Sequence, residues 1–156
     1  MEPGTMLDQK QLRKVWFLSD NVLYREAVAF LHKLVYEQEC DPLPTSQVTG
    51  LLNIALLLKY GELEDFIQHQ LERNWPPGKR DIKILYTALE EVLGIMRRKR
   101  LKDEFHLLDG VSAGEIRRET DALMALLARE FIQHMVAENG RLAVELSNQR
   151  PRQRSK

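Results

Sequence analysis

Apolar residues return every three or four positions through most of this 156-residue chain, and this spacing constrains its fold more than any other feature. Such spacing places side chains on one face of an α-helix, whereas a half-buried strand would alternate. Between residues 12 and 35 the pattern is carried by Leu12, Val15, Trp16, Val22, Leu23, Ala27, Phe30, Leu31, Leu34 and Val35. Because no segment alternates in this way, the sequence predicts an all-α fold.

Prolines and glycines divide the pattern into five or six helices with short connections, which predicts a single-domain helical bundle. Asp41-Pro42-Leu43-Pro44 ends the first helical stretch, because proline cannot continue a helix. Trp75-Pro76-Pro77-Gly78 is the clearest break in the chain. Ser19 and Asp20 leave the first stretch with two interpretations, one long helix or a short helix followed by a longer one.

Capping residues predict the other helix boundaries. The predicted N-caps are Thr45 or Ser46 for the second helix, Asp81 for the fourth, and Ser112 with Glu115 as a capping box for the last. Gly61 is predicted to end the second helix. After Met96 the apolar residues leave the stripe of the fourth helix, so we expect that helix to end or kink there.

The second helix is apolar on nearly all sides between Leu51 and Leu58, which is typical of a helix packed on several faces. We therefore expect it to be the central helix of the bundle. The predicted core includes Leu52, Ala55, Leu56 and Phe66. The domain is predicted to cover residues 1–148, and the basic residues 149–156 are predicted to form a disordered tail.

The total charge is zero, but the basic and acidic residues are unevenly distributed. Residues 1–75 contain 7 basic and 11 acidic residues, whereas residues 76–156 contain 16 and 12. A positive second half indicates an anionic partner. The single cysteine, Cys40, excludes an intrachain disulfide, and neither a signal-peptide pattern nor a run of about 20 apolar residues is present. The sequence therefore predicts a cytoplasmic protein with no membrane contact.

The residues that usually carry catalysis are not arranged for it in the sequence. The four histidines, His32, His69, His106 and His134, lack partners at metal-ligand spacing. Cys40 precedes Asp41, whose charge disfavours a reactive thiolate. No nucleophile elbow and no glycine-rich phosphate loop occurs. We therefore predict a protein that is not an enzyme and needs neither a cofactor nor a metal.

A basic cluster is the feature with the strongest functional interpretation. If the fourth and last helices are antiparallel, its two parts lie near the same end of the bundle and could bind phosphates. The cluster contains Arg97, Arg98, Lys99, Arg100, Lys102, Arg117 and Arg118. The alternative is a solvated helix C-terminus whose cations complement the macrodipole. No aromatic platform of the kind that stacks on the bases of a single strand accompanies the cluster, so base readout is not predicted.

One short segment occurs twice. Phe66-Ile67-Gln68-His69 returns as Phe131-Ile132-Gln133-His134, and an asparagine follows five positions after each histidine. A duplicated helical unit would explain the repeat, and so would chance among amphipathic helices. In either case both segments are predicted to be helical.

The segment from Pro44 to Asn53 resembles the front part of the small helical subunits of type III CRISPR effector complexes. In that family a similar Thr-Ser-containing segment leads into a leucine-rich helix, and the similarity extends over about 30 residues, to Asn74. Val48 and Thr49 occupy the positions where the family usually has a basic residue.

The resemblance implies a non-catalytic subunit that is repeated along larger protein subunits. Such a subunit would contact single-stranded RNA or DNA, or a guide–target duplex, through phosphates, and self-association is compatible with it. An alternative hypothesis is a helical adaptor that binds only protein. A third is a small helical enzyme whose site has no recognisable motif.

Overall fold

The computed structural model describes residues 7–149, and these form a bundle of five helical rods without a strand. The predicted all-α single-domain bundle is therefore confirmed. Its α-helices are α1 Gln9–Leu18, α2 Tyr24–His32, α3 Thr45–Leu56, α4 Tyr60–Glu72, α5 Arg80–Ile95 and α6 Ile116–Gln149. Apart from residue 149, the predicted tail lies outside the described residues.

The N-terminal rod, residues 9–37, joins α1 and α2 through the π-helical segment Ser19–Leu23 and continues through a second one, Lys33–Glu37. Of the two interpretations of this stretch, the single long helix is therefore right. The π-helical turn explains why the sequence suggested a break. A step of five residues separates buried Leu18 from buried Leu23, and a π-turn keeps such a step on one face.

The central helix of the bundle is α6. It contacts α1, α2, α3 and α4, and also the helical segment Met96–Glu104 that directly follows α5. Its buried residues are Leu123, Met124, Ala125, Leu127, Ala128, Phe131, Ile132, Met135, Glu138, Asn139 and Leu142. Because burial extends around much of its circumference, α6 takes the position that the sequence assigned to the leucine-rich helix.

The prediction that the leucine-rich helix is central was wrong. In α3 only Leu51 and Ala55 are fully buried, while Leu56 is 47% exposed. Ala55 is thus confirmed as a core residue and Leu56 is not, while Leu52 and Phe66 are only partly buried, with Phe66 packed against the core. The reason is that α3 packs through one face, so the apolar residues on its other faces remain in solvent.

Several predicted caps were also wrong. No side chain caps α3, whose N-cap is Pro44, and Gly61 lies inside α4. The left-handed residue of the α3–α4 turn is Leu58, with φ 57°. Asp81 lies in the first turn of α5, where its carboxylate accepts a hydrogen bond from the backbone amide of Asp41 (2.8 Å).

The connection from the N-terminal rod to α3 is fixed by one buried amide. Asn139 of α6 accepts a hydrogen bond from the backbone amide of Leu43 (2.8 Å) and donates one to the carbonyl of the same residue (3.2 Å). These bonds satisfy both backbone groups in the interior, where an unpaired group would be costly. They anchor this proline-containing connection to the central helix.

The sequence predicted that the fourth helix ends or kinks after Met96, and the α5 rod, residues 80–104, does change its helical geometry at this residue instead of ending. It continues as the π-helical segment Met96–Glu104. The buried residues Met96, Leu101 and Phe105 are spaced by five and four positions, which is why they leave the α-helical stripe but still face the core. The basic cluster is therefore helical over residues 97–102. Among the described residues, no helix is both long and apolar enough to cross a bilayer.

Candidate nucleic-acid interface

The two parts of the basic cluster meet where the α5 rod reaches the first turns of α6. Arg97 forms an ion pair with Asp121 at 2.8 Å, and Asp121 follows Arg118 by three residues. This contact brings residues 97–102 and residues 117–118 to the same end of the bundle. The seven predicted cations share a region, but their surroundings divide them into two groups.

Arg97 belongs to the group that is engaged within the fold. Besides its ion pair, its guanidinium lies 5.3 Å from the centre of the Tyr60 ring. Its Nη1 atom is buried and has no hydrogen-bond partner in the described part of the chain. Burial, and secondarily the nearby charge of Glu64, raises the pKa of the Tyr60 hydroxyl to about 12. Arg97 thus helps to hold the α5 rod against α4 and α6.

Arg100 is engaged even more strongly. Its guanidinium donates to both carboxylate oxygens of Glu26 at 2.7 and 2.8 Å, and to those of Glu104 at 2.9 and 2.7 Å. It also lies over the ring of Phe105, and its side chain is only 17% exposed. The hydrogen bonds to Glu104 and Glu26 raise the pKa of this guanidinium. Two carboxylates therefore already occupy the donors that a phosphate would need.

The other five cations are exposed and form no ion pair among the described residues. They are Arg98, Lys99, Lys102, Arg117 and Arg118. Arg98 differs from the other four because it lines a groove between α4 and α5 that contains the carboxylates of Glu64, Asp65, Glu90 and Glu91. That acidic neighbourhood weakens its attraction for an anion. Lys99, Lys102, Arg117 and Arg118 remain the cations best placed for phosphate.

Helix polarity distinguishes the two parts of the cluster further. Residues 97–102 lie at the C-terminal end of the α5 rod, where cations complement the macrodipole. Arg117 and Arg118 lie in the first turn of α6, where the macrodipole disfavours them. The explanation of a cation-stabilised helix end therefore applies to the first part only.

The fold adds cations that the sequence reasoning did not include. Lys10, Arg13 and Lys14 of α1 lie beside residues 104–106, and all of them line one groove with Phe17. The side chain of Lys14 donates to the backbone carbonyl of His106 at 2.9 Å. The spacing of residues 10, 13, 14 and 17 predicts from the sequence that these side chains share one face of a helix. Their position beside the end of the α5 rod could not be predicted in this way, because it joins segments that are far apart in the sequence.

A second constellation joins a serine, a histidine and a carboxylate. Ser19 of the first π-helical segment donates to Glu130 at 2.8 Å, and its Oγ lies 2.9 Å from Nε2 of His134. A nucleophile relay would place the histidine between the serine and the acid. Here the acid bonds to the serine, which is 3% exposed. The contacts therefore attach the N-terminal rod to α6.

The other candidate residues are separated by the fold. His69 is exposed on α4, His106 is exposed before the last connection, and His32 pairs with Glu138 at 2.6 Å. The described residues contain no group of three metal-ligating side chains. Cys40 is buried, and its burial, with the charges of Asp81 and Asp41, raises the pKa of its thiol.

No family model, curated protein sequence or solved structure matches this chain. The geometry of the side chains is therefore what supports a functional assignment.

Proposed function

We propose that this chain is a non-catalytic helical subunit of a nucleoprotein complex, and that it binds phosphate backbones without reading base sequence. The observation that carries the proposal is the set of exposed, unpaired cations in the described region where the α5 rod meets α6. Lys99, Lys102, Arg117 and Arg118 are in this set. Exposed cations at one end of a bundle bind nucleic acid through counterion release, which is independent of sequence.

The position of Arg117 and Arg118 adds a second argument. A pair of cations in the first turn of a helix lowers its stability slightly, because the positive end of the macrodipole repels them. Residues that conflict with local structural preference often serve binding. An anionic ligand would remove this conflict, since it would be attracted by the arginines and by the helix terminus.

A more specific role rests on the resemblance of Pro44–Asn53 to the small subunits of type III CRISPR effector complexes. In that role the chain would repeat along larger subunits beside a guide–target duplex. The exposed apolar residues of the α3–α4 corner, Leu56, Leu57 and Leu58, would then contact protein neighbours or a second copy. A gene located beside those of the larger subunits is the genomic arrangement that this role predicts.

The competing function is an adaptor that binds only protein. The same exposed leucines support it, together with the exposed aromatic residues Trp16, Tyr24 and Tyr36. In this case the cations would serve solubility. The two functions differ in a single property, which is binding to nucleic acid at low salt.

The test is a salt series of binding to labelled oligouridine RNA. The variant Lys99→Gln/Arg117→Gln/Arg118→Gln should flatten the slope of log affinity against log salt by about 2, because each lost contact to a single strand removes about 0.7. Its free energy of unfolding should change little, since these side chains are exposed and unpaired in the described structure.

The matched control removes three exposed cations from the opposite end of the α5 rod. Lys79→Gln/Arg80→Gln/Lys83→Gln has the same charge change and should keep the wild-type slope. Equal slopes for both triple variants would show that binding depends only on net charge and would contradict the assigned site. Absence of wild-type binding at low salt would contradict nucleic-acid binding and favour the adaptor.

A further inference from the structure

The groove along α1 combines cations with an exposed aromatic ring. One face of α1 carries Lys10, Arg13, Lys14 and Phe17, because the last three follow Lys10 by three, four and seven positions. Across the groove lie Glu104, Phe105 and His106, and the groove has a volume of about 580 Å³. Phe17 is 63% exposed, an unusual degree for a phenylalanine in a folded domain.

The charge of this groove is positive despite Glu104. Both oxygens of that carboxylate accept hydrogen bonds from Arg100, so its charge is balanced within the fold. The Lys14 ammonium is held at the His106 carbonyl, while Lys10 and Arg13 are exposed without an ion pair in the described residues. An occupant of this groove should therefore be anionic.

The helix that carries the groove cations also contacts the start of α6. Gln11 of α1 donates to the Leu107 carbonyl at 3.2 Å and to the carboxylate of Glu119 at 2.7 Å. Glu119 follows Arg118 directly on α6, so α1 and the first turn of α6 are in contact. The cations of α1 therefore lie on a helix that packs beside the first turn of α6, which carries Arg117 and Arg118.

We propose that this groove binds one stretch of single-stranded nucleic acid, with Lys10 and Arg13 on its phosphates and Phe17 stacked on a base. The inference rests on the proposed function and names its ligand, a single strand with accessible bases. Proteins that bind single strands without sequence preference combine a basic groove with aromatic side chains on which bases stack. Phe17 supplies the aromatic platform that the sequence did not place beside the basic cluster.

Two oligonucleotides separate stacking from charge, namely oligouridine and an abasic strand with the same number of phosphates. Phe17→Ala should weaken oligouridine binding by about 5- to 150-fold, the range measured for the loss of one stacked base. Its binding to the abasic strand should equal that of the wild type. The salt slope should stay unchanged, because an uncharged ring releases no counterions.

The matched controls are Phe17→Trp and Tyr24→Ala. Phe17→Trp retains a stacking ring and should bind oligouridine as the wild type does. Tyr24 is an exposed aromatic residue on the same rod but lies against His134 outside the groove, so its loss should leave binding unchanged. Lys10→Gln/Arg13→Gln should flatten the salt slope by about 1.4 on both strands.

The outcomes distinguish this inference from the proposed function. If the wild type binds neither strand at low salt, the proposed function fails and the inference fails with it. If Phe17→Ala binds oligouridine as tightly as the wild type, the inference alone is overturned. Phe17-dependent binding to phosphatidylserine vesicles, without any preference for oligouridine over the abasic strand, would also overturn it and assign the groove to an anionic membrane surface.

Discussion

At the scale of single residues, Glu138 shows how this bundle stabilises a buried carboxylate. Arg141 donates to both of its oxygens, at 3.0 and 2.6 Å, and His32 lies 2.6 Å from the second oxygen. The hydrogen bonds from Arg141, and then from His32, lower the pKa of this carboxyl from 4.5 to about 2. The ionised form is therefore the one that the folded state favours.

A pH dependence follows from this lowered pKa. The ionised Glu138 carboxylate stabilises the folded state fully above its ordinary pKa of 4.5. This contribution to the free energy of unfolding is lost as the pH falls toward about 2. Glu138→Gln should lower the free energy of unfolding by about 1–3 kcal/mol at pH 7, as expected for charged hydrogen bonds. The difference from the wild type should shrink between pH 5 and pH 2.5, as measured by urea denaturation.

Glu145 provides the control for this prediction. It also accepts a hydrogen bond from Arg141, at 2.8 Å, but its carboxylate is half-exposed. Glu145→Gln should therefore cost less, since an ion pair at the surface contributes little to stability. A Glu138→Gln effect of constant size from pH 7 to pH 2.5 would mean that the ion pairs of Glu138 contribute nothing to stability.

At the scale of elements, α3 shows that an apolar residue in an apolar helix is not always buried. Leu51 is fully buried, whereas Leu56 lies on the same helix with half of its side chain exposed. Leu51→Ala should reduce the free energy of unfolding by about 2–5 kcal/mol, because it leaves a cavity. Leu56→Ala, an identical substitution, should change it by less than about 1 kcal/mol. Urea denaturation of the two variants checks this, and equal losses would place Leu56 in the core.

The elements also show which parts of the fold the sequence could predict. Helical periodicity was sufficient for the all-α class and for the proline-containing breaks, since these depend on neighbouring residues. It was not sufficient to rank the helices. The apolar run Leu51–Leu58 indicated a central helix, but α6 is central and buries Glu138 and Asn139. Asn139 is satisfied by Leu43, and Glu138 by His32 as well as by Arg141 of its own helix, so two of these partners lie far away in the sequence.

The candidate site, like the fold, could be predicted only as far as it depends on residues that are close together in the sequence. Local charge density identified the region of residues 97–102 and 117–118. It did not reveal that Arg100 binds Glu26, which is 74 positions earlier in the chain, or that α1 lies beside residues 104–106. Those contacts depend on packing, and they change which cations are available to a ligand.

At the scale of the whole molecule, the ends of three helical rods meet at one end of the described bundle. The N-terminal rod begins there, the α5 rod ends there and α6 begins there, which collects cations from three helices. Lys79, Arg80 and Lys83 lie at the opposite end of the α5 rod, because the 16-residue helix α5 begins at Arg80 and ends at Ile95, before the π-helical segment. A phosphate backbone should therefore engage one end of the bundle and leave the start of α5 free.

The most direct measurement of this claim is backbone amide NMR of the 18.2 kDa protein during titration with oligouridine RNA at low salt. Shift changes should concentrate in α1, in residues 97–102 and in the first two turns of α6. Residues 79–83 should remain unchanged. Shift changes centred on residues 79–83, or no change at all at saturating RNA, would contradict binding at this end of the bundle.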